Sequence, residues 1–165
     1  SLYRIYLHQN RRGNSTGFTS LSEFTNLNNL DIFYCHYNSI QGKIPSFAGC
    51  PKIRYIALYN NQFSSYEQGS IASLTRLRYF DINNNQLSAG ELDKIIVDCL
   101  ASYEYQGNKR TGVTIDLRSN YINGVKVLPD PPGGTAPDQA QSLSEESQEI
   151  ITFLKAQARW NIPLT

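Results

Sequence analysis

No run of apolar residues approaches the ~18 needed to cross a bilayer, so nothing in the chain reads as a membrane-spanning helix. Excess charge of either sign is also missing. Lys plus Arg is 15, Asp plus Glu is 14 and the net charge is +1, which leaves no electrostatic footprint for nucleic acid or an anionic membrane surface. Cysteine is scarce: Cys35, Cys50 and Cys99 are odd in number and have no CxxC spacing, so neither a disulfide framework nor a zinc site is indicated and buried thiols are expected. Glycine-rich phosphate loops, nucleophile elbows and HExxH are absent, which removes the commonest sequence marks of an enzyme or cofactor. No methionine stands at the start, and SLYRIYLHQN has neither the charge nor the cleavage pattern of a signal peptide. The chain opens directly in an apolar-periodic segment, so further sequence upstream of Ser1 is expected. What is present is 165 residues, 40% hydrophobic and 18% charged, enough for one domain with a sizeable core.

The stretch Asp81 to Leu87, DINNNQL, sets three asparagines inside an apolar pattern, although asparagine favours neither helix nor strand. Aligning on the third gives Leu77-x-x-Phe80-x-Ile82-x-x-Asn85-x-Leu87. The same grid fits Ile53, Ile56, Leu58, Asn61, Phe63 and Leu30, Phe33, Cys35, Asn38, Ile40. Gly112, Ile115, Leu117, Asn120, Ile122 fits with a weaker first position, and Leu2, Ile5, Leu7, Asn10 fits until Arg12 replaces the last apolar residue. The grid asparagines 10, 38, 61, 85 and 120 are 28, 23, 24 and 35 residues apart. This resembles the leucine-rich repeat, whose period is roughly 20 to 29 residues. The resemblance implies a short strand per repeat, with the asparagine at the bend bonding backbone groups that the turn leaves unpaired. Asn83 and Asn84 fall on outward grid positions and are expected to face solvent.

The 35-residue interval holds about eleven extra residues, with Ser88-Ala-Gly-Glu91 reading as a capping box and Leu92, Ile95, Ile96, Cys99, Leu100 and Tyr103 at helical spacing. The last full repeat therefore returns through a helix, whereas earlier returns such as Ser64 to Thr75 are expected to be irregular or single-turn. Residues 129–137, rich in Pro and Gly, read as a loop. Ser142-Leu-Ser-Glu145 reads as a second capping box, before a helix from about Ser144 to Arg159 with Ile150, Ile151, Leu154 and Ala158 on its apolar face. The expected fold is an α/β solenoid. Residues 1–128 form a right-handed repeat stack with a five-stranded parallel sheet about 20 to 24 Å across at ~4.8 Å per strand. Residues 129–165 form a loop, a capping helix with Trp160, and a terminal strand.

The run LSAGELDKIIVDCLASYEYQGNKRTGVTIDLRSNYI, followed by a Pro/Gly loop, a helix and Trp160-x-x-x-x-Thr165, resembles the closing module of leucine-rich-repeat proteins of tailed bacteriophages and some bacterial surface proteins. It spans roughly Leu77 to Thr165. That family ends closer to Gly-Trp-Thr-x-Thr, where this chain has Arg159-Trp160-Asn161-Ile162-Pro163. The resemblance implies a non-enzymatic structural component of a virion tail, baseplate or fibre, binding virion neighbours or a host surface receptor, on a virion or an extracellular surface. A bacterial surface adhesin or receptor ectodomain is the alternative. Gly42-Lys-Ile-Pro45-Ser-Phe47 is similar to a plant extracellular repeat segment, but it occurs once and without that family's cysteine-paired cap, so it reads as a convergent turn.

Function in stacked repeats is usually carried by the concave sheet. Its outward columns are Arg4, Ile32, Tyr55, Tyr79, Thr114; then Tyr6, Tyr34, Ala57, Asp81, Asp116; then His8, His36, Tyr59, Asn83, Arg118. With Tyr3 and Tyr37, seven of eleven tyrosines lie on this face. Such rings suit protein hot spots or stacking on sugars, so a protein partner or a glycan is expected; cross-strand packing is the plainer reading. Asp81 and Asp116 should lie ~5 Å apart, near the carboxyl separation of retaining glycosidases, which makes a polysaccharide depolymerase the third reading. Arg78 and Arg118 are expected to pair with them on a flat, solvated face that cannot split their pKa values, so no catalytic residue is assigned. His8 and His36 share a column without a neighbouring carboxylate and make an incomplete metal site. No cofactor is expected.

Overall fold

In a computed structural model, which describes residues 2–9, 27–122, 125–127 and 142–163, each repeat places a three-residue strand whose middle side chain points inward. The strands are β1 (Arg4–Tyr6), β2 (Ile32–Tyr34), β4 (Tyr55–Ala57), β6 (Tyr79–Asp81) and β7 (Thr114–Asp116). They form one parallel sheet in the order β1-β2-β4-β6-β7. The register aligns Ile5, Phe33, Ile56, Phe80 and Ile115 across it. The last four are fully buried, as are Cys35, Leu58, Ile82 and Leu117 two residues on. Period-two alternation thus puts one apolar layer per repeat into a continuous core.

At the bend after each strand the backbone polar groups leave the ladder, and the grid asparagines take them up. Asn61 Nδ2 donates to the Leu58 carbonyl at 2.9 Å and to the Cys35 carbonyl of the preceding repeat at 3.0 Å. Its Oδ1 accepts from Ile40 N at 3.1 Å. Asn85 repeats this with Ile82 O, Leu58 O and Phe63 N, and Asn120 with Leu117 O, Ile82 O and Leu87 N. Asn38 donates to Cys35 O and Leu7 O. Asn10 lies outside the described residues.

One position earlier the chain must turn sharply. Gln9, Tyr37, Asn60, Asn84 and Ser119, each immediately before a grid asparagine, have φ of 56°, 55°, 56°, 53° and 55°. This left-handed region costs most L-residues about 1–2 kcal/mol, and asparagine tolerates it best. Asn84 is exposed, yet it serves the turn and donates to Asn60 Oδ1. It is more than the surface residue that its outward position suggests.

Two small sheets were not legible in the sequence. β3 (Gln41–Lys43) and β5 (Gln62–Ser65) pair in parallel just after their asparagines, and β8 (Asn120–Ile122) and β9 (Val125–Val127) pair antiparallel. The latter carries strand structure past the last grid asparagine.

The long interval contains helix α1 (Ala89–Glu104), and α2 (Glu145–Ala158) packs against it. Ser88 Oγ accepts from Glu91 N at 3.2 Å. The Glu91 carboxylate does not complete the box; it accepts from Tyr66 N at 2.6 Å and pairs with Lys94. Asp98, a buried residue of α1, accepts from Tyr66 Oη at 2.5 Å and Gly69 N at 2.8 Å. Both carboxylates are used to tie down the preceding return. At α2 the cap is Ser144 rather than Ser142, its Oγ accepting from Ser147 N at 3.2 Å. Starting the helix there leaves Leu143 buried beside Ile150, Ile151 and Leu154. Arg159, the residue that ends α2, adopts φ 55°. Beyond it Trp160 is buried and donates Nε1–H to Arg110 O at 2.9 Å. Asn161 exchanges hydrogen bonds with Val113 O and Ile115 N beside β7.

Asn61→Ala should lower stability by about 1 to 3 kcal/mol in urea unfolding, because Ile40 N and two carbonyls lose their partner. Asn84→Ala should cost about 1 kcal/mol through the turn conformation alone, and Asn84→Gly should recover it. Equal losses for Asn84→Ala and Asn84→Gly would show that conformation is not what the position requires.

Candidate functional site

The same register that buries Phe33 and Ile56 sends their neighbours to the opposite side of the sheet. Tyr6, Tyr34, Ala57, Asp81 and Asp116 lie side by side across the five strands, as do Arg4, Ile32, Tyr55, Tyr79 and Thr114. At the upper margin His8 and His36 stack with ring centroids 4.8 Å apart and planes within 3°, and His36 stacks on Tyr59 at 4.4 Å. Tyr6 meets Tyr34 edge to face at 5.5 Å, and Tyr37 meets Tyr59 likewise at 5.3 Å. Cross-strand packing of aromatic rings is therefore real on this face. It accounts for only part of the ring area, since Tyr3, Tyr6 and Tyr37 remain about half exposed.

Burial lowers the His36 pKa from 6.5, with His8 adding to the effect, so the His36 ring favours the neutral form. Among the described residues no group of three or more His, Cys, Asp or Glu side chains is placed to hold a metal ion. The three cysteines are buried.

The carboxylates differ from expectation. Asp81 and Asp116 are buried, at 4% and 6% exposure, because flanking side chains fold over them. Asp116 accepts from Arg118 N, Nε and Nη2 at 3.1, 3.0 and 2.7 Å. Arg78 does not pair with either acid; its Nη1 donates to Thr111 O at 3.0 Å, since it lies one residue before β6 at the sheet margin. Asp81 instead accepts from Tyr79 Oη at 2.5 Å, Asn83 N at 3.0 Å and Asn83 Nδ2 at 2.7 Å. Burial raises its pKa from 3.8 and the Asp116 charge adds to this, while the hydrogen bonds from Tyr79 and Asn83 oppose it. The face is thus able to desolvate an acid. Asp116 remains tied to a guanidinium, so the two carboxyls do not form a free acid/base pair.

Between these groups the column drops to a methyl. Ala57 floors a hollow of about 360 Å³ lined by Tyr34, His36, Tyr55, Tyr59 and Tyr79. A second hollow, about 510 Å³, runs along the turn beside the asparagines and is lined mainly by amides, among them Gln9, Asn60, Gln62 and Asn84, with Tyr37. Neither was anticipated from sequence, although an alanine between Tyr34 and Asp81 in one column was a visible sign of the first.

The family model for the leucine rich repeat matches residues 25–87, the stretch that supplies β2 to β6 and three of the asparagines. That stretch is similar to leucine-rich repeats. A search of curated proteins finds no match. Leucine-rich repeats are in general non-enzymatic protein-interaction modules, and stacked repeats present just such a continuous sheet face.

Because the folded state disfavours ionised Asp81, the isosteric Asp81→Asn change should raise the urea midpoint at neutral pH. The advantage should shrink as pH falls through the raised pKa towards 3.8, where the native carboxyl takes up its proton before the unfolded one does. A lower midpoint for the variant at neutral pH would mean that the hydrogen bonds to Tyr79 and Asn83 outweigh the desolvation.

Proposed function

We propose that this protein is a non-enzymatic recognition and assembly module whose Tyr-rich sheet face binds a protein. The observation that carries this reading is the alignment of Tyr6, Tyr34, Tyr55, Tyr59 and Tyr79 on one rigid parallel sheet, with ring area left over after cross-strand packing. Rigid aromatic side chains give large contact area at small entropic cost and dominate binding energy at protein interfaces. The finer reading is a structural component of a tailed-phage virion, at the virion or an extracellular surface, contacting neighbouring virion proteins or a host receptor. It is supported by the resemblance of the Leu77 to Thr165 module. In this reading residues 142–163 close the repeat stack: α2 lies on α1, Trp160 is buried and Asn161 occupies the outer edge of β7.

The double change Tyr34→Ala and Tyr59→Ala should weaken capture of the partner by an immobilised protein about tenfold or more, while Glu149→Ala on the outer face of α2 should leave it unchanged. Unaltered capture by a folded double variant would reduce the tyrosines to sheet packing. Antibodies against the protein should decorate tails of phage particles in electron micrographs. Decoration of a bacterial envelope alone would move the assignment to an adhesin or receptor.

A further inference from the structure

The concave face carries an electrostatic imbalance beside its aromatic hollow. Asp81 and Asp116 are register partners on adjacent strands, where like charges oppose each other. The pair has one guanidinium, Arg118, and it is bound to Asp116. Among the described residues Asp81 forms no ion pair: Tyr79 and Asn83 supply all its hydrogen bonds. Two further cations at the lower margin are committed elsewhere, Arg54 to both oxygens of Asp31 at 2.5 and 2.6 Å and Arg78 to a carbonyl. A buried carboxylate without an ion pair of its own is costly to a fold, and Asp81 sits next to Ala57, at the hollow, across the β4–β6 pairing.

The walls fit the charge. Tyr34, His36, Tyr55, Tyr59 and Tyr79 line the open hollow at Ala57, and aromatic rings attract cations through their negative faces. One such contact already exists at its margin, where the Arg54 guanidinium lies 5.6 Å from the centre of the Tyr55 ring. A sugar would be served better by the flat, half-exposed rings of Tyr3, Tyr6 and Tyr37, which lie outside the hollow. We propose that the hollow at Ala57 receives a cationic side chain, lysine or arginine, projected by the protein partner, with the tyrosines holding its stem and head and Asp81, buried beside the hollow rather than lining it, supplying the countercharge without direct contact. This deepens the reading of the face as a protein-recognition surface and rests on it.

The test uses the full chain labelled on its tyrosine rings and titrated, by aromatic NMR, with N-acetyl-lysine amide and N-acetyl-arginine amide. The neutral comparators are N-acetyl-norleucine amide and N-acetyl-citrulline amide. Saturable shifts of Tyr34, Tyr55, Tyr59 and Tyr79 are expected with at least one of the two cationic probes and not with the neutral ones. Asp81→Asn, which keeps the shape of the side chain, should weaken the response about tenfold. Ala57→Leu, which fills the hollow from its floor, should abolish it while the amide spectrum stays native. Equal responses to charged and neutral probes, or none to either, would overturn the proposal. Shifts of these rings with glucose or galactose but with neither cation would replace it with a sugar subsite. If the cations fail while the Tyr34/Tyr59 double variant still loses its partner, protein recognition by the face stands and the cation site falls.

Discussion

The primary amides of Asn38, Asn61, Asn85 and Asn120 supply what a strand ladder cannot supply at a bend. Each offers two N–H donors, shared between a carbonyl of its own repeat and one of the repeat before it. The carbonyl oxygens of Asn61, Asn85 and Asn120 accept the amide N–H of the preceding repeat's next segment. Aspartate would lack the donors and serine the reach. Because each amide bonds both its own repeat and the one before it, the amides fix the offset between neighbouring strands as well as the turn. The columns of the exposed face follow from that offset. Without it Tyr34, Ala57 and Asp81 would not stand in one row, and neither the hollow nor the carboxylate beside it would exist.

The three asparagines of DINNNQL divide the work of one corner. Asn85 is buried in the ladder, Asn84 takes the left-handed turn that delivers it, and Asn83 hydrogen-bonds Asp81 through both its backbone and its side chain. Structure, conformation and surface chemistry are thus set by consecutive residues with the same side chain. Tyr37 and Ser119 hold the equivalent left-handed position elsewhere with less suitable side chains. The bonding around the next residue is strong enough to impose the conformation there regardless of local preference.

The repeat grid, the five strands and both helices could be read from the chain because each rests on a short-range pattern: an apolar period, an asparagine at a constant offset, a serine before a helix. The β3–β5 pair could not. Gln41-Gly-Lys43 has no apolar alternation and is exposed throughout, and it becomes a strand only because the ladder holds Gln62–Ser65 beside it. The capping boxes were half legible for a related reason. Ser88 caps as its position dictates, but the carboxylate of Glu91 has a better partner in Tyr66 N, a residue 25 positions earlier. Burial of Asp81 and Asp116 and the diversion of Arg78 to Thr111 O depend likewise on what neighbouring strands bring, which spacing along one strand does not encode.

Core and face make opposite demands on the same three-residue strands. In β4 the central Ile56 is fully buried, Tyr55 is half-buried and Ala57 is covered though it points away from the core. An alanine there contributes little to packing, and a larger β-branched residue would suit an exposed strand better. Asp81 beside it departs from local preference more strongly, as an acid with depressed ionisation, short of a cation and adjacent to a second acid. Two neighbouring positions that depart from strand preference thus lie at and beside an aromatic hollow. Departures from local preference of this kind are expected to concentrate at functional or strained positions, and here they are held in place by the hydrogen bonds that Tyr79 and Asn83 give to Asp81.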